Sequence, residues 1–126
     1  MQLQDVMNRN IGPVSPETRL WEAARRMRVS HLPILPVCQN GRLIGLITPR
    51  DLTVRATAQG CDPQLTAVQA VMTREIICGL ADQNLHDAEA LMLRYGLTRL
   101  LVVDHERRLV GMVALADVQR WRVGNN

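Results

Sequence analysis

The chain contains itself twice. Shifting it by 65 positions lays Val6-Met7 on Val71-Met72, Arg9 on Arg74 and Ile11 on Ile76, and the match continues through Leu20 on Leu85, Ala23 on Ala88, Met27 on Met92, Leu32 on Leu97, Leu35 on Leu100 and Val37 on Val102. One residue then enters the second copy, where Gln39-Asn40-Gly41 faces Asp104-His105-Glu106-Arg107. At a shift of 66, Arg42-Leu43 falls on Arg108-Leu109, Gly45 on Gly111 and Asp51 on Asp117. A length change confined to one loop leaves the packed parts of a repeat in register. Each half is too short to bury a good core alone, so two halves are expected to pack together. The boundaries read 6–60 for the first copy, 61–70 for a linker and the start of the second unit, and 71–122 for the second copy.

Each copy spells the same elements. Ser15-Pro16-Glu17-Thr18 reads as an N-cap with proline at the first helical position, leading into Leu20, Ala23, Ala24 and Met27 at helical spacing. From Asp82 as cap, Leu85, Ala88, Leu91, Met92 and Tyr95 repeat that face, and Gly96 stands where a left-handed C-terminal cap is expected. Ile34 to Cys38 and Leu43 to Thr48 form an antiparallel pair across Asn40-Gly41, the dipeptide best suited to the positive φ angles of a tight hairpin. Arg99 to Val103 and Leu109 to Val113 repeat the pair. Thr48-Pro49 opens a helix running to about Gly60, matched by Ala114 to Trp121, and a short first strand lies near Pro13-Val14 or Ile76-Cys78. The fold class is therefore α/β (α+β): two pseudo-twofold-related β-α-β-β-α units packed through their sheets.

Composition narrows the function. Hydrophobic residues make up 47% of 126 residues, enough for a core, yet no apolar run reaches the length of a membrane span. The polar start Met1-Gln2-Leu3-Gln4-Asp5 lacks the apolar stretch of a secretory leader, giving an expected cytoplasmic location and no membrane partner. Cys38, Cys61 and Cys78 are odd in number and widely spaced, as buried thiols in a reducing compartment would be, and His31, His86 and His105 form no short-spaced ligand pair, so no metal is assigned. The net charge of +3 is spread along the chain rather than clustered, and with no Phe, one Tyr and two Trp there is little on which bases could stack. Nucleic acid is not an expected partner. No G-x-S-x-G, H-E-x-x-H or P-loop pattern is present and no cysteine has a local base, which argues against an enzyme.

The segment Gly45-Leu46-Ile47-Thr48-Pro49-Arg50-Asp51 resembles the G-h-h-T/S-x-x-D signature that closes a cystathionine-beta-synthase (CBS) domain. Val6-Met7 and Val71-Met72-Thr73 resemble that family's opening, and Leu35-Pro36-Val37 and Leu100-Leu101-Val102-Val103-Asp104 its L-P-V-V-D strand. Both copies carry these pieces in the same order, and the resemblance spans essentially the whole chain. It is closest to free-standing bacterial CBS pairs, the arrangement called a Bateman module.

The resemblance implies a regulatory site for an adenosine-containing nucleotide between the two repeats, of the AMP, ADP, ATP or S-adenosylmethionine kind, with no catalysis and no obligatory cofactor. It assigns the sugar and phosphate region to Thr48 and Asp51; phosphates need cations, and Arg50 beside the acid and Arg99 from the second copy are the candidates. The base is expected against backbone at Ile11, Gly12 and Pro13, with apolar cover from Val14, Leu32 and Ile47. A carboxylate can accept from both ribose hydroxyls, and a helix N-terminus favours an anion. The same two residues are also ordinary helix grammar, Thr48 as a cap and Asp51 as a solvated first-turn acid. His31 either faces the pocket or lies on the surface before the strand. In the second copy Gly111-Met112-Val113-Ala114-Leu115-Ala116-Asp117 keeps the acid but has Ala114 where a hydroxyl should be. The second site, with Asp117, Ala114, Ile76, Cys78 and Arg99, is therefore expected to be weaker. Such a module would act as a homodimer on an unidentified effector protein. The alternative is a nucleotide-free interaction or dimerisation module.

Overall fold

The computed structural model describes residues 1–124. In chain order its elements are α1 (Leu3–Val6), α2 (Leu20–Ser30), β1 (Leu35–Gln39), β2 (Arg42–Ile47), a helical stretch over 49–58 whose Asp51–Ala56 part is π-helical, a 3₁₀ turn (Val68–Ala70), β3 (Cys78–Leu80), α3 (Leu85–Tyr95), β4 (Arg99–Val103), β5 (Leu109–Ala114) and α4 (Leu115–Gly124). None of the described helices is long and apolar enough to cross a membrane.

Two compact units form: Gly12–Ile76, and Met1–Ile11 together with the chain from Ile77 onward. This division differs from that of the sequence repeat, because each copy's opening segment folds into the unit holding the other copy's strands. In the first unit Leu46 and Thr73 exchange backbone hydrogen bonds of 2.9 and 2.8 Å; in the second, Met112 and Asn8 do the same at 2.9 and 2.8 Å. A glycine makes room for each opening segment. A Cβ on Gly45 would stand 2.6 Å from the Met72 sulfur, and one on Gly111 2.5 Å from the Met7 sulfur, so the methionine side chain lies where any larger residue would need to be.

Within Gly12–Ile76, β1 and β2 pair antiparallel, and Val14 adds a single parallel bridge to Val37. In the other unit β3 runs parallel to β4, and β4 antiparallel to β5. The register slips between Val37 and Cys38 in one hairpin and between Val102 and Val103 in the other, the same place in each copy. The first hairpin turns on Asn40 (φ 54°) and Gly41 (φ 80°), as its dipeptide requires. The second carries its extra residue at a turn where the Asp104 carboxylate accepts the N–H groups of Glu106 and Arg108 at 2.9 and 2.8 Å. Each unit has its own core: Val14, Leu20, Met27, Leu35, Val37, Ile47, Val68 and Val71 in the first, Leu3, Leu85, Met92, Leu100, Val102, Val113 and Val118 in the second.

Four local expectations need correction. Ser15 to Thr18 is a hydrogen-bonded turn outside the helix, and α2 starts only after Arg19. The cap of α3 is Asn84, whose side chain accepts the Asp87 N–H at 2.8 Å, whereas Asp82 pairs with His105; the cap thus lies four residues later than expected in α2 and two residues later in α3. The helix after Thr48 is not regular, since its Asp51–Ala56 part is π-helical and it ends near residue 58. The short first strand is a lone bridge at Val14 in one copy, and in the other it runs over Cys78–Leu80, later than the expected start at Ile76.

Candidate functional site

Thr48 leaves β2 as the residue before the first helical position, Pro49, so Thr48, Pro49, Arg50 and Asp51 occupy the N-cap and the first three helical positions. The cap is reciprocal. The Asp51 N–H donates to Thr48 Oγ1 at 3.2 Å, while Asp51 Oδ2 accepts the Thr48 N–H at 2.9 Å and the Thr48 hydroxyl at 3.1 Å.

Asp51 is far from the solvated acid of an ordinary first turn. It is 4% exposed and is the buried charged residue among the described residues. Burying a carboxylate is costly unless donors replace its water, and the chain supplies them from a distance. The Thr73 hydroxyl lies 3.0 Å from Oδ1 and 3.2 Å from Oδ2. Arg55, one turn further along, sits 3.6 Å from Oδ1 and also donates to the Met72 carbonyl at 3.1 Å. Beside this network opens a recess of about 320 Å³ lined by Arg55, Gln69, Met72, Thr73, Arg74 and Glu75, among others. The sequence reading leaves Thr73 and Arg55 out of the surroundings of Asp51. The only sequence signal was the threonine that follows Val71-Met72 in the opening motif.

The second copy lacks this arrangement. Asp117 pairs with Arg120, and its side chain is 44% exposed. Ala114, the last residue of β5, has no hydroxyl to offer. The position equivalent to Thr73 holds Asn8, whose side-chain oxygen accepts the Asn10 N–H, and the position equivalent to Arg55 holds Trp121. Three of the four groups that surround Asp51 are thus replaced.

The other expected residues are dispersed. Gly12 (φ 50°) and Pro13 are exposed, and their carbonyls accept from Arg26 at 2.9 and 3.4 Å, a contact not foreseen. Arg26 also lines a groove of about 450 Å³ on the outer face of α2 with Glu22, Arg25, Val29 and Ser30. Val14 and Ile47 are buried in the core of their unit, Leu32 is half-buried, and Ile11 is buried in the other unit. Arg50 is exposed. Ile76, Cys78 and Arg99 are half-buried; Arg99 stands opposite Ala114 in the β4–β5 pair and donates to the Thr98 carbonyl. His31 is the exposed, left-handed C-cap of α2 at φ 58°. Burial pushes the Cys38 and Cys78 thiols up, away from the reactive thiolate, although Arg107 partly offsets this at Cys78. Among the described residues no three His, Cys, Asp or Glu side chains are grouped to hold a metal.

Comparison with known proteins agrees with this architecture. The chain is 40% identical over 123 residues to the CBS domain-containing protein YhcV of Bacillus subtilis, covering 98% of this chain and 86% of that one. The crystal structure of Hypoxic Response Protein I with two coordinated zinc ions is similar at a TM-score of 0.83 and 28% identity, covering 95% of this chain and 98% of that one. Hypoxic response protein 1 of Mycobacterium tuberculosis is 33% identical over 119 residues, or 93% of this chain and 82% of the relative. The CBS domain pair of protein MJ0100, in complex with 5′-methylthioadenosine and S-adenosyl-L-methionine, matches at a TM-score of 0.75 and 26% identity, covering all of this chain and 98% of that one. The family model described as CBS domain matches residues 3–56 and again 68–124. The chain belongs to the CBS domain family and carries two copies of the domain.

Proposed function

We propose that the chain is a regulatory module that binds an adenosine-containing compound of the AMP, ADP, ATP or S-adenosylmethionine kind at Thr48 and Asp51, without chemistry of its own. The observation that carries this reading is the buried Asp51 carboxylate surrounded by hydroxyls. A carboxylate held by Thr48 and Thr73 can exchange one set of hydroxyl donors for another, and a ribose brings two. The MJ0100 pair, 26% identical, was crystallised with two adenosine derivatives, which supports the same ligand class here. On this reading the exposed backbone at Gly12 and Pro13 meets the base, Arg50, exposed and adjacent to Asp51 in the chain, meets phosphate, and the Asp117 site is weak. Binding would be relayed to an effector protein, with a homodimer as the working form.

A thermal-shift panel of AMP, ADP, ATP, S-adenosylmethionine, NAD and GTP tests this, because a ligand that binds only the folded chain raises its melting temperature. The expected result is a rise with at least one adenosine compound that Asp51→Ala abolishes. One observation favours a second reading, a nucleotide-free interaction module: the second copy has Ala114 where the signature calls for a hydroxyl. Silence across the panel at millimolar ligand, with Asp51→Ala still folded, would select that reading.

A further inference from the structure

Asp51 is inaccessible as it stands. At 4% exposure, with Thr48 on Oδ2 and Thr73 within 3.0 and 3.2 Å of both oxygens, a ribose can reach the carboxylate only by displacing a donor already there. Thr48 is fixed by its reciprocal cap, accepting from the Asp51 N–H while donating to its side chain. Thr73 is the separable donor. Its backbone pairs with β2 through the two Leu46 bonds, while its neighbours Arg74 and Glu75 are exposed on the rim of the recess of about 320 Å³.

We propose that Thr73 sets the affinity and sugar specificity of the Asp51 site by acting as an internal stand-in for the ligand's vicinal hydroxyls. This rests on the nucleotide reading given above. In the empty state the Thr73 hydroxyl satisfies the buried carboxylate. On binding, the ligand diol takes its place, Thr73 is released, and Arg55 loses a neighbour that helps hold Asp51 beside the Met72 carbonyl. The segment 72–75, which leads directly into the rest of the chain, then changes its hydrogen bonding with occupancy. The second copy has no such device, since Asn8 stands at the equivalent position with its side-chain oxygen on the Asn10 N–H, and Asp117 pairs with Arg120.

The test measures affinity for adenosine and for 2′,3′-dideoxyadenosine in the wild type, Thr73→Val and Thr73→Ser. Valine keeps the shape and deletes the donor, leaving a buried acceptor that a bound diol would satisfy again. Removing the competitor should tighten adenosine binding on the order of five- to tenfold, the worth of about one net hydrogen bond. It should leave the dideoxy compound unchanged, and serine should restore the wild-type affinity. Equal or weaker adenosine binding by Thr73→Val, in a chain whose wild type binds, would overturn the role of Thr73 and leave the nucleotide reading standing. An equal gain for both compounds would also overturn it, by showing a general loosening. No adenosine binding by either wild type or Thr73→Val would overturn this inference, by showing that the diol alone does not engage Asp51, and would leave the nucleotide reading to the panel above.

Discussion

Asp51 and Thr73, 22 residues apart in sequence, meet in a hydrogen bond that joins the first helical turn after β2 to the segment paired with Leu46. The bond adds a side-chain tie to the Leu46 backbone pairing and the Arg55 contact with the Met72 carbonyl, which hold the same two separately encoded pieces of the first unit.

Asp51→Ala therefore costs far more than its counterpart. Deleting the acceptor strands the Thr48 N–H and the Thr73 hydroxyl and leaves Arg55 without its acid partner, so a loss of about 3 kcal/mol is expected. Asp117, with its side chain 44% exposed and one surface partner, should change stability by less than about 0.5 kcal/mol on Asp117→Ala. Urea unfolding of the two variants checks the difference. Equal costs would mean that the Asp51 network contributes nothing beyond an ordinary cap.

The opening segments are keyed by glycine. Gly45→Ala pushes a methyl into the Met72 side chain and within 3.1 Å of the Thr73 carbonyl, and should destabilise by about 1–3 kcal/mol. Because the closest contact is with the Met72 side chain, Gly45→Ala combined with Met72→Ala should cost clearly less than the sum of the two single changes. Additive losses in denaturant titrations would show that the methionine is not what occupies that space.

Helix α3 offers a check on its true start. The Asn84 side chain accepts the Asp87 N–H, so Asn84→Ala should lose about 1 kcal/mol. Ser15→Ala, in a turn outside α2, should lose much less in the same thermal-melt comparison. The reverse order would restore Ser15 as the capping residue.

A pH signature belongs to the hairpin of the second copy. His105 Nε2 lies 2.8 Å from Asp82 Oδ2, and that hydrogen bond holds the imidazole above its ordinary range and the carboxyl below its own. A raised histidine contributes stability that is complete below the ordinary histidine value and fades as pH climbs through the raised one. A depressed carboxylate contributes above the ordinary carboxylate value and fades as pH falls through the depressed one. The pair is thus best formed in the mildly acidic interval between them, and being fully exposed its effect is small. An NMR titration of His105 should show its pKa falling back to the ordinary range in Asp82→Asn; no change would remove the pairing.

Much of this was legible in the sequence because it is local or periodic. The repeat, the Asn40-Gly41 turn, the Gly96 cap and the strand pairs all follow from spacing and residue type over a few positions. The exchange of opening segments between the units was not, since Val6-Met7 looks the same whichever strand it joins. Only the absence of a Cβ at Gly45 and Gly111 reveals where the methionines go. Asp51 shows the same limit at the site. Thr48-Pro49-Arg50-Asp51 announces a capped helix start, but whether the acid is solvated or buried depends on Thr73, reached only through the fold. The π-helical turn and the grip of Arg26 on the Gly12 and Pro13 carbonyls likewise depend on packing that no short window of sequence contains.

The central claim, a single competent adenosine site in the first copy, is most directly tested by calorimetric titration of the wild type, Asp51→Ala and Asp117→Ala with AMP, ATP and S-adenosylmethionine. At least one compound should bind the wild type with one strong equivalent per chain, keep that equivalent in Asp117→Ala and lose it in Asp51→Ala. No heat with any of them, or a strong equivalent that disappears with Asp117 rather than Asp51, would contradict it.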